Sequence, residues 1–490
     1  MTITLNDLNA ISASIEGKRD KFIDISTKIW NFAEIRFEEF QSADLLCTTL
    51  KDEGFQVERG IADMETAFIA SYGSGKPVIA FLGEFDALAN LSQKGGSSTK
   101  ETVIAGGNGH GCGHNLLGTG SLAAAIALRD HMDKNKLEGT IRYYGCPAEE
   151  GGSGKTFMAR AGLFDDVDFA LTWHPSDTNV IIPTSSLANV QVSYKFTGRA
   201  AHAAQSPHLG RSALDAVELM NVGVNYLREH IIPEAKVHYA VTNTGGLSPN
   251  IVQADASVLY LIRAPKTSQV NDIFNRVCKI AEGAALMTET EVEVVFEKAC
   301  SSLVPNATMQ QAMYEQFAAL GLPTFTDEEK QFATEMRETL SVQERNSSVL
   351  AIVPPYKKLL EADRDSSLST VLFPYIKELT AMTMPGSTDV GDVSWIVPTA
   401  QCTVSCFAQG TQLHSWQVVA TGATSIAQTG MLHAGKVMAA TAAAMLAQPQ
   451  LIEQAKQELQ QRLGSELYQN PIPVDINPTQ VKQNVSLIIE

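Results

Sequence analysis

No stretch of this 490-residue chain is long and apolar enough to cross a bilayer. The longest tract of low polarity, at 121–128, is short and rich in alanine. Residues 1–20 hold no basic segment followed by an apolar core, so no secretory signal is visible. Positive charge is scarce: 37 Lys and Arg face 54 Asp and Glu, a formal net charge of -17. Nucleic acid and anionic membrane surfaces repel such a protein, and neither is expected as a partner. The total does not govern a pocket, where a few basic residues can still receive an anion. Cysteine is sparse and odd in number, at positions 47, 112, 146, 278, 300, 402 and 406. Without a signal, this usage indicates reduced thiols and a cytoplasmic setting. Cys402 and Cys406 lack a second pair to complete a metal knuckle and read as buried strand residues.

The length exceeds what one small core serves, so two or more domains are expected. Hydrophobic residues make up 44% and charged residues 19%, an ordinary globular balance. Within 16–50, Phe22, Ile25, Ile29, Phe32 and Ala33 recur at helical spacing, and a second helix is predicted over 40–50. Apolar runs at 67–71, 78–82, 140–145 and 169–173 read as strands, with an alanine-rich helix over 116–130. Strands alternating with helices predict a largely parallel sheet covered on both faces. Its ligands should sit beyond the carboxyl ends of the strands. From 188 the pattern changes to strand (189–196), helix (213–230), two strands (237–242, 257–263), helix (270–287) and strand (290–296). That order describes a ferredoxin-like module suited to insertion. After Pro305 the first pattern resumes, with a charged helical elaboration over 325–377, a strand at 402–407 and helices over 424–446 and 453–466. A proline-punctuated tail follows from 470 and is expected to wrap the surface. The fold class is α/β: a mostly parallel-sheet catalytic domain from 1–188 and 301–490, interrupted by an α+β module at 189–300.

Candidate chemistry concentrates at strand ends. Cys112-Gly-His114 places a thiolate and an imidazole on a glycine-flanked loop before a helix, a pairing that suits a divalent cation. Alone, it equally suits a buried cysteine beside a satisfied histidine. Glu149-Glu150 follow a predicted strand and precede Gly151-Gly152. Adjacent carboxylates are costly to bury without a cation or a shared proton. One can ligate a metal while the other takes a proton from water. His174, between Trp173 and Pro175, and His414, in Leu-His-Ser-Trp, are weak candidates singly. Asp86, after the strand at 78–82, suits either a hydrogen bond to a liganding histidine or the cap of a turn. His202, among small residues at 198–210, reads by itself as a loop histidine without a task.

Together these motifs resemble the M20 metallopeptidases, in the cysteine-bearing branch of aminoacylase and amidohydrolase type. The likeness is carried by Asn108-Gly-His-Gly-Cys-Gly-His-Asn-Leu-Leu-Gly-Thr119, Gly145-Cys-Pro-Ala-Glu-Glu-Gly-Gly-Ser-Gly154, Gly154-Lys-Thr-Phe-Met158 and Trp173-His174-Pro175. It continues in the 198–210 segment, Ser387-Thr-Asp-Val-Gly-Asp-Val-Ser-Trp395 and Leu413-His-Ser-Trp416. The resemblance implies two divalent cations held by Cys112 (bridging), His114, Glu150, His174 and His414. Manganese is the ion it suggests, and the ligand types also suit zinc. It further implies Glu149 as general base, Asp86 as the carboxylate behind a ligand, and the inserted module as lid and dimerisation domain. His202 would project into a partner's site near the oxyanion. Asn250 and Arg263 match lid residues associated with substrate, Arg263 with its carboxylate. Glu84 departs from the pattern, standing where many relatives outside this branch have a liganding histidine. The implied reaction is hydrolysis of an N-acyl amino acid, p-aminobenzoyl-glutamate being favoured, by a homodimer or a heteromer with a related subunit. The alternatives are an aminoacylase or dipeptidase of other acyl specificity, or a non-catalytic partner subunit. The complete set of ligands and base argues against that last option.

Overall fold

The computed structural model describes residues 3–482. Six strands precede the module: Gln56–Arg59 (β1), Phe68–Ser74 (β2), Val78–Glu84 (β3), Gly139–Cys146 (β4), Phe169–Ser176 (β5) and Val180–Ile181 (β6). Four belong to it, Ala188–Thr197 (β7), Lys236–Asn243 (β8), Asp255–Ala264 (β9) and Glu291–Cys300 (β10), and Thr399–Ser405 (β11) follows. The larger sheet has the order β1-β2-β4-β3-β5-β11-β6. Its central strands β4, β3, β5 and β11 are parallel, while β1, β2 and β6 pair antiparallel at the margins. β3 is buried at every position, as a strand covered on both faces must be.

Two long helices rich in small residues, His114–Asn135 and Ser425–Ala447, pack against each other and against this sheet. Their closeness has a specific cause. A Cβ at Gly120 would lie 2.8 Å from the Trp173 ring, whose Nε1 donates to the Leu117 carbonyl. The N-terminal region differs from expectation: two helices, Leu5–Gly17 and Arg19–Phe32, stand where the spacing predicts one from residue 16 onward. The first begins at a Thr4–Asp7 capping box and buries Leu8, Ile11 and Ile15.

The second sheet, β10-β7-β9-β8, is antiparallel throughout. Ala256, Val258, Tyr260, Ile262 and Ala264 of β9 are buried. They lie under the paired helices Ala213–Leu227 and Thr267–Thr288. Glu297 sits at a β-bulge, where the β10–β7 register shifts between Phe296 and Lys298. The elaboration after Pro305 is helical over Asp327–Glu338, Val342–Arg345 and Pro354–Ala362, then largely irregular up to the short 3₁₀ turn Lys377–Ala381. The tail lies on Gly154–Arg160: Asn470 donates to the Thr156 carbonyl, and Arg160 to the carbonyls of Pro473 and Ile476.

Candidate active site

The carboxyl ends of β3, β4 and β5 deliver Asp86, Glu149-Glu150 and His174 to one edge of the sheet, where the start of the helix His114–Asn135 meets them. Gly113, at φ 80, turns the chain between Cys112 and His114, and a Cβ there would sit 2.8 Å from Pro175. Only glycine meets both demands. His414, at φ 60, arrives from beyond β11 and donates its amide to the Gly111 carbonyl at 2.7 Å.

The donor atoms form three overlapping groups, within each of which all lie inside 4.8 Å: Cys112, His114 and His174; Cys112, Glu150 and His414; Glu84, His114 and Glu149. Cys112 is shared by two groups and His114 by two. Asp86 fixes this geometry. Its Oδ1 accepts from His114 Nδ1 at 2.8 Å and its Oδ2 accepts from the Glu150 amide at 2.9 Å. With Nδ1 engaged by Asp86, Nε2 is the His114 nitrogen left to meet an ion; it is buried and without a hydrogen bond. His174 is oriented likewise, Nδ1 against the Pro175 carbonyl at 2.8 Å and Nε2 3.4 Å from Cys112 Sγ.

Electrostatics sort the two neighbouring glutamates. Burial raises Glu150, but the hydrogen bond from His414 and the charges of His114 and His414 outweigh it and bring the carboxyl to about 2. Burial and the carboxylates of Glu84, Glu150 and Asp389 push Glu149 well above the usual range. Neighbours displaced in opposite directions suit a permanent anion beside a proton acceptor. Burial, with the charge of His114, lowers His174 to about 4, leaving a neutral imidazole at pH 7. Burial and Glu150 raise the Cys112 thiol well above its ordinary value, so a thiolate there requires a neighbouring cation. A thiol in need of a cation, a His114 Nε2 without a hydrogen bond and the Glu150 carboxylate grouped with Cys112 and His414 fit divalent metal ions.

The remaining candidates lie apart. His202 and Asn250 are exposed at the tip of the module, joined by a His202–Ile251 bridge and the Ala203 amide on the Asn250 carbonyl. Arg263 lies near the other end of β9, opposite Asn189 and Lys236, half-buried with Nε unpaired. Eight ladder positions separate the Arg263–Asn189 pair from the Asp255–Thr197 pair, roughly 27 Å of strand. Cys402 and Cys406 are buried free thiols of the core.

Sequence reasoning missed several supporting residues. Glu39, fully buried, accepts the amides of Phe37 and Ala148 and the Thr66 hydroxyl, securing the turn before Glu149. Lys298 donates to the Glu150 carbonyl at 2.7 Å. Buried Lys155 bridges Glu84 and Asp389. No local pattern marks these charges as interior.

Residues 80–367 match the profile of Peptidase family M20/M25/M40. The chain belongs to this family. It is 52% identical to one of the subunits of p-aminobenzoyl-glutamate hydrolase from Escherichia coli (strain K12), over 96% of this chain and 98% of that protein. It is 26% identical to the Xaa-Arg dipeptidase of Mus musculus, over 90% of this chain and 89% of that one. Among solved structures, a dinuclear metal binding peptidase of the M20 family from Bacillus subtilis shares the fold, with TM-score 0.54 and 16% identity over 88% of this chain and 99% of that chain. The aminobenzoyl-glutamate utilization protein of Klebsiella pneumoniae does so with TM-score 0.53 and 18% identity, over 85% of this chain and 96% of that chain. This M20 chain is a metal-dependent amidohydrolase. Among its described residues, no helix is long and apolar enough to cross a membrane.

Proposed function

We propose that this M20 enzyme hydrolyses p-aminobenzoyl-glutamate to p-aminobenzoate and glutamate, using two manganese ions held by Cys112, His114, Glu150, His174 and His414. The observation that carries the chemistry is the buried His114, whose Nδ1 is held by Asp86 while Nε2 stands free among carboxylate and thiol donors. The substrate is suggested by the 52% identical relative. When bound, the two cations supply Lewis-acid polarisation of the amide carbonyl and ease the ionisation of water. Asp86 keeps His114 in its liganding tautomer and steadies the Glu150 amide. Glu149 takes a proton from the attacking water and delivers it to the departing amine. The amide C–N bond breaks, the acyl carbon keeps the water oxygen, and glutamate leaves as the free amine.

In this reading 189–300 is a lid and dimerisation module. His202 and Asn250, at the tip remote from Arg263, serve the site of a neighbouring protomer, where His202 donates to the oxyanion. Arg263, near the base, receives the substrate carboxylate. Leu219, Val222 and Tyr226, exposed at helical spacing on Ala213–Leu227, offer an apolar stripe for a second protomer. That protomer is another copy or a related chain; a different subunit of the E. coli hydrolase is 28% identical over 49% of this chain and 57% of that protein. Seven free thiols suit a reducing cytoplasm.

The test is release of glutamate from p-aminobenzoyl-glutamate by the purified chain, with manganese added, then chelated, then replaced by zinc. Metal-dependent release is expected. Full metal loading without release, whether the chain is alone or joined by its related partner, refutes the substrate. Cleavage of a dipeptide panel instead would favour the activity named for the mouse relative.

A further inference from the structure

Two motifs have no task in the metal centre as described: Gly154-Lys-Thr-Phe-Met158 and Ser387-Thr-Asp-Val-Gly-Asp-Val-Ser-Trp395. The fold interlocks them. The Lys155 side chain is fully buried, with Nζ 2.7 Å from Glu84 Oε1 and 2.5 Å from Asp389 Oδ1. The Lys155 amide donates to Asp389 Oδ2 at 2.9 Å. Next to it, Thr156 donates to Asp392, which also accepts the hydroxyls of Ser301 and Tyr468. Lysine is almost never fully buried without partners, because stripping water from an ammonium costs several kcal/mol. Here two carboxylates meet one ammonium, and the trio keeps one negative charge in excess. Glu84 presents that charge to the metal centre: its Oε2 lies 3.2 Å from His114 Nε2. The two atoms face each other in a buried space, and Nε2 makes no hydrogen bond. A divalent cation between them can take a lone pair from each.

We propose that Lys155 is a positioning residue of the metal centre: clamped by Asp389, it fixes Glu84 so that the second carboxylate oxygen joins His114 at one of the two cations. This rests on the reading of Cys112, His114, Glu150, His174 and His414 as the metal centre. Lys155 touches neither substrate nor metal. It acts by denying Glu84 other rotamers and by compensating the charge of Asp389.

The experiment is calorimetric titration of the metal-free, full-length chain with manganese, for the parent, Glu84→Gln and the double variant Lys155→Met/Asp389→Asn. The double variant removes one charge of each sign and leaves Glu84 in place without its clamp. Both variants are expected to lose about 10- to 100-fold in affinity for one manganese equivalent, the usual cost of losing a group that orients a ligand. The other equivalent should be retained, and excess manganese should restore turnover. A purely structural lysine would lower the metal-free melting temperature and leave the titration unchanged. Parent-like binding of both equivalents by Glu84→Gln, or by the double variant, overturns the proposal. Should the double variant not fold, Glu84→Gln decides alone, because it keeps the Lys155–Asp389 pair. A parent that takes up no manganese overturns the metal centre itself, whereas a parent with two equivalents and variants like it overturns only this role.

Discussion

Replacing Asp86 by asparagine preserves shape while removing a charge and one acceptor. Asp86 accepts from His114 Nδ1 at 2.8 Å and from the Glu150 amide at 2.9 Å, and it is buried. An asparagine has one oxygen for these two donors, so its amide group must face one of them. If it faces His114, Nδ1 becomes the acceptor and the imidazole proton moves to Nε2, abolishing the lone pair that ligates. If it faces Glu150, two N–H groups abut in the interior, and an unpaired buried donor costs about 1–3 kcal/mol. Either outcome disturbs a proposed ligand: the first changes the tautomer of His114, the second shifts the Glu150 turn. The expected loss in manganese affinity is about 10- to 100-fold, equivalent to about 1.4–2.7 kcal/mol at roughly 1.36 kcal/mol per decade. Calorimetric titration of metal-free Asp86→Asn against the parent measures it. Two equivalents bound within about threefold of the parent affinity would refute the argument that Asp86 sets the tautomer.

Glu149→Gln should lower turnover by about 10²- to 10⁴-fold, the range for a lost general base, with metal content by elemental analysis unchanged; loss of metal would instead make Glu149 a ligand. Burial, with the charge of Asp86, raises Glu39 from 4.5 to about 8, so the folded state binds the extra proton between these values and stability falls as pH rises through that window. Glu39→Gln removes this dependence, and its stability relative to the parent should rise by about 1.4 kcal/mol per pH unit between pH 5 and 8, read from urea midpoints; a constant difference would refute the assignment. Gly120→Ala would place a methyl 2.8 Å from the Trp173 ring and should cost about 1–3 kcal/mol despite alanine's better helix propensity. A stabilised variant in chemical denaturation would show that the ring yields freely.

The candidate site residues are legible because each stands where a local pattern ends. Asp86, Glu149-Glu150 and His174 follow apolar runs that form β3, β4 and β5, and a parallel sheet brings strand ends to one edge. Cys112 and His114 declare themselves by spacing, with glycines around them. The module's order of strands and helices was readable for the same reason, since periods of 2 and 3.6 are written along the chain. The first helix, Leu5–Gly17, was missed although its Thr4–Asp7 cap and its Leu8, Ile11 and Ile15 stripe are local signals. What no local pattern held is the set of interior charges. Nothing adjacent to Glu39 marks it as interior, and Lys155 looks like any helix lysine until Glu84, 71 positions earlier, and Asp389, 234 positions later, close around it. Sequence alone determined which donor types are present and which strand or loop carries each. Tertiary structure decided which charges have lost their water, because desolvation and pairing depend on neighbours remote along the chain, and it also separated Arg263 from His202 and Asn250 by nearly the length of a strand.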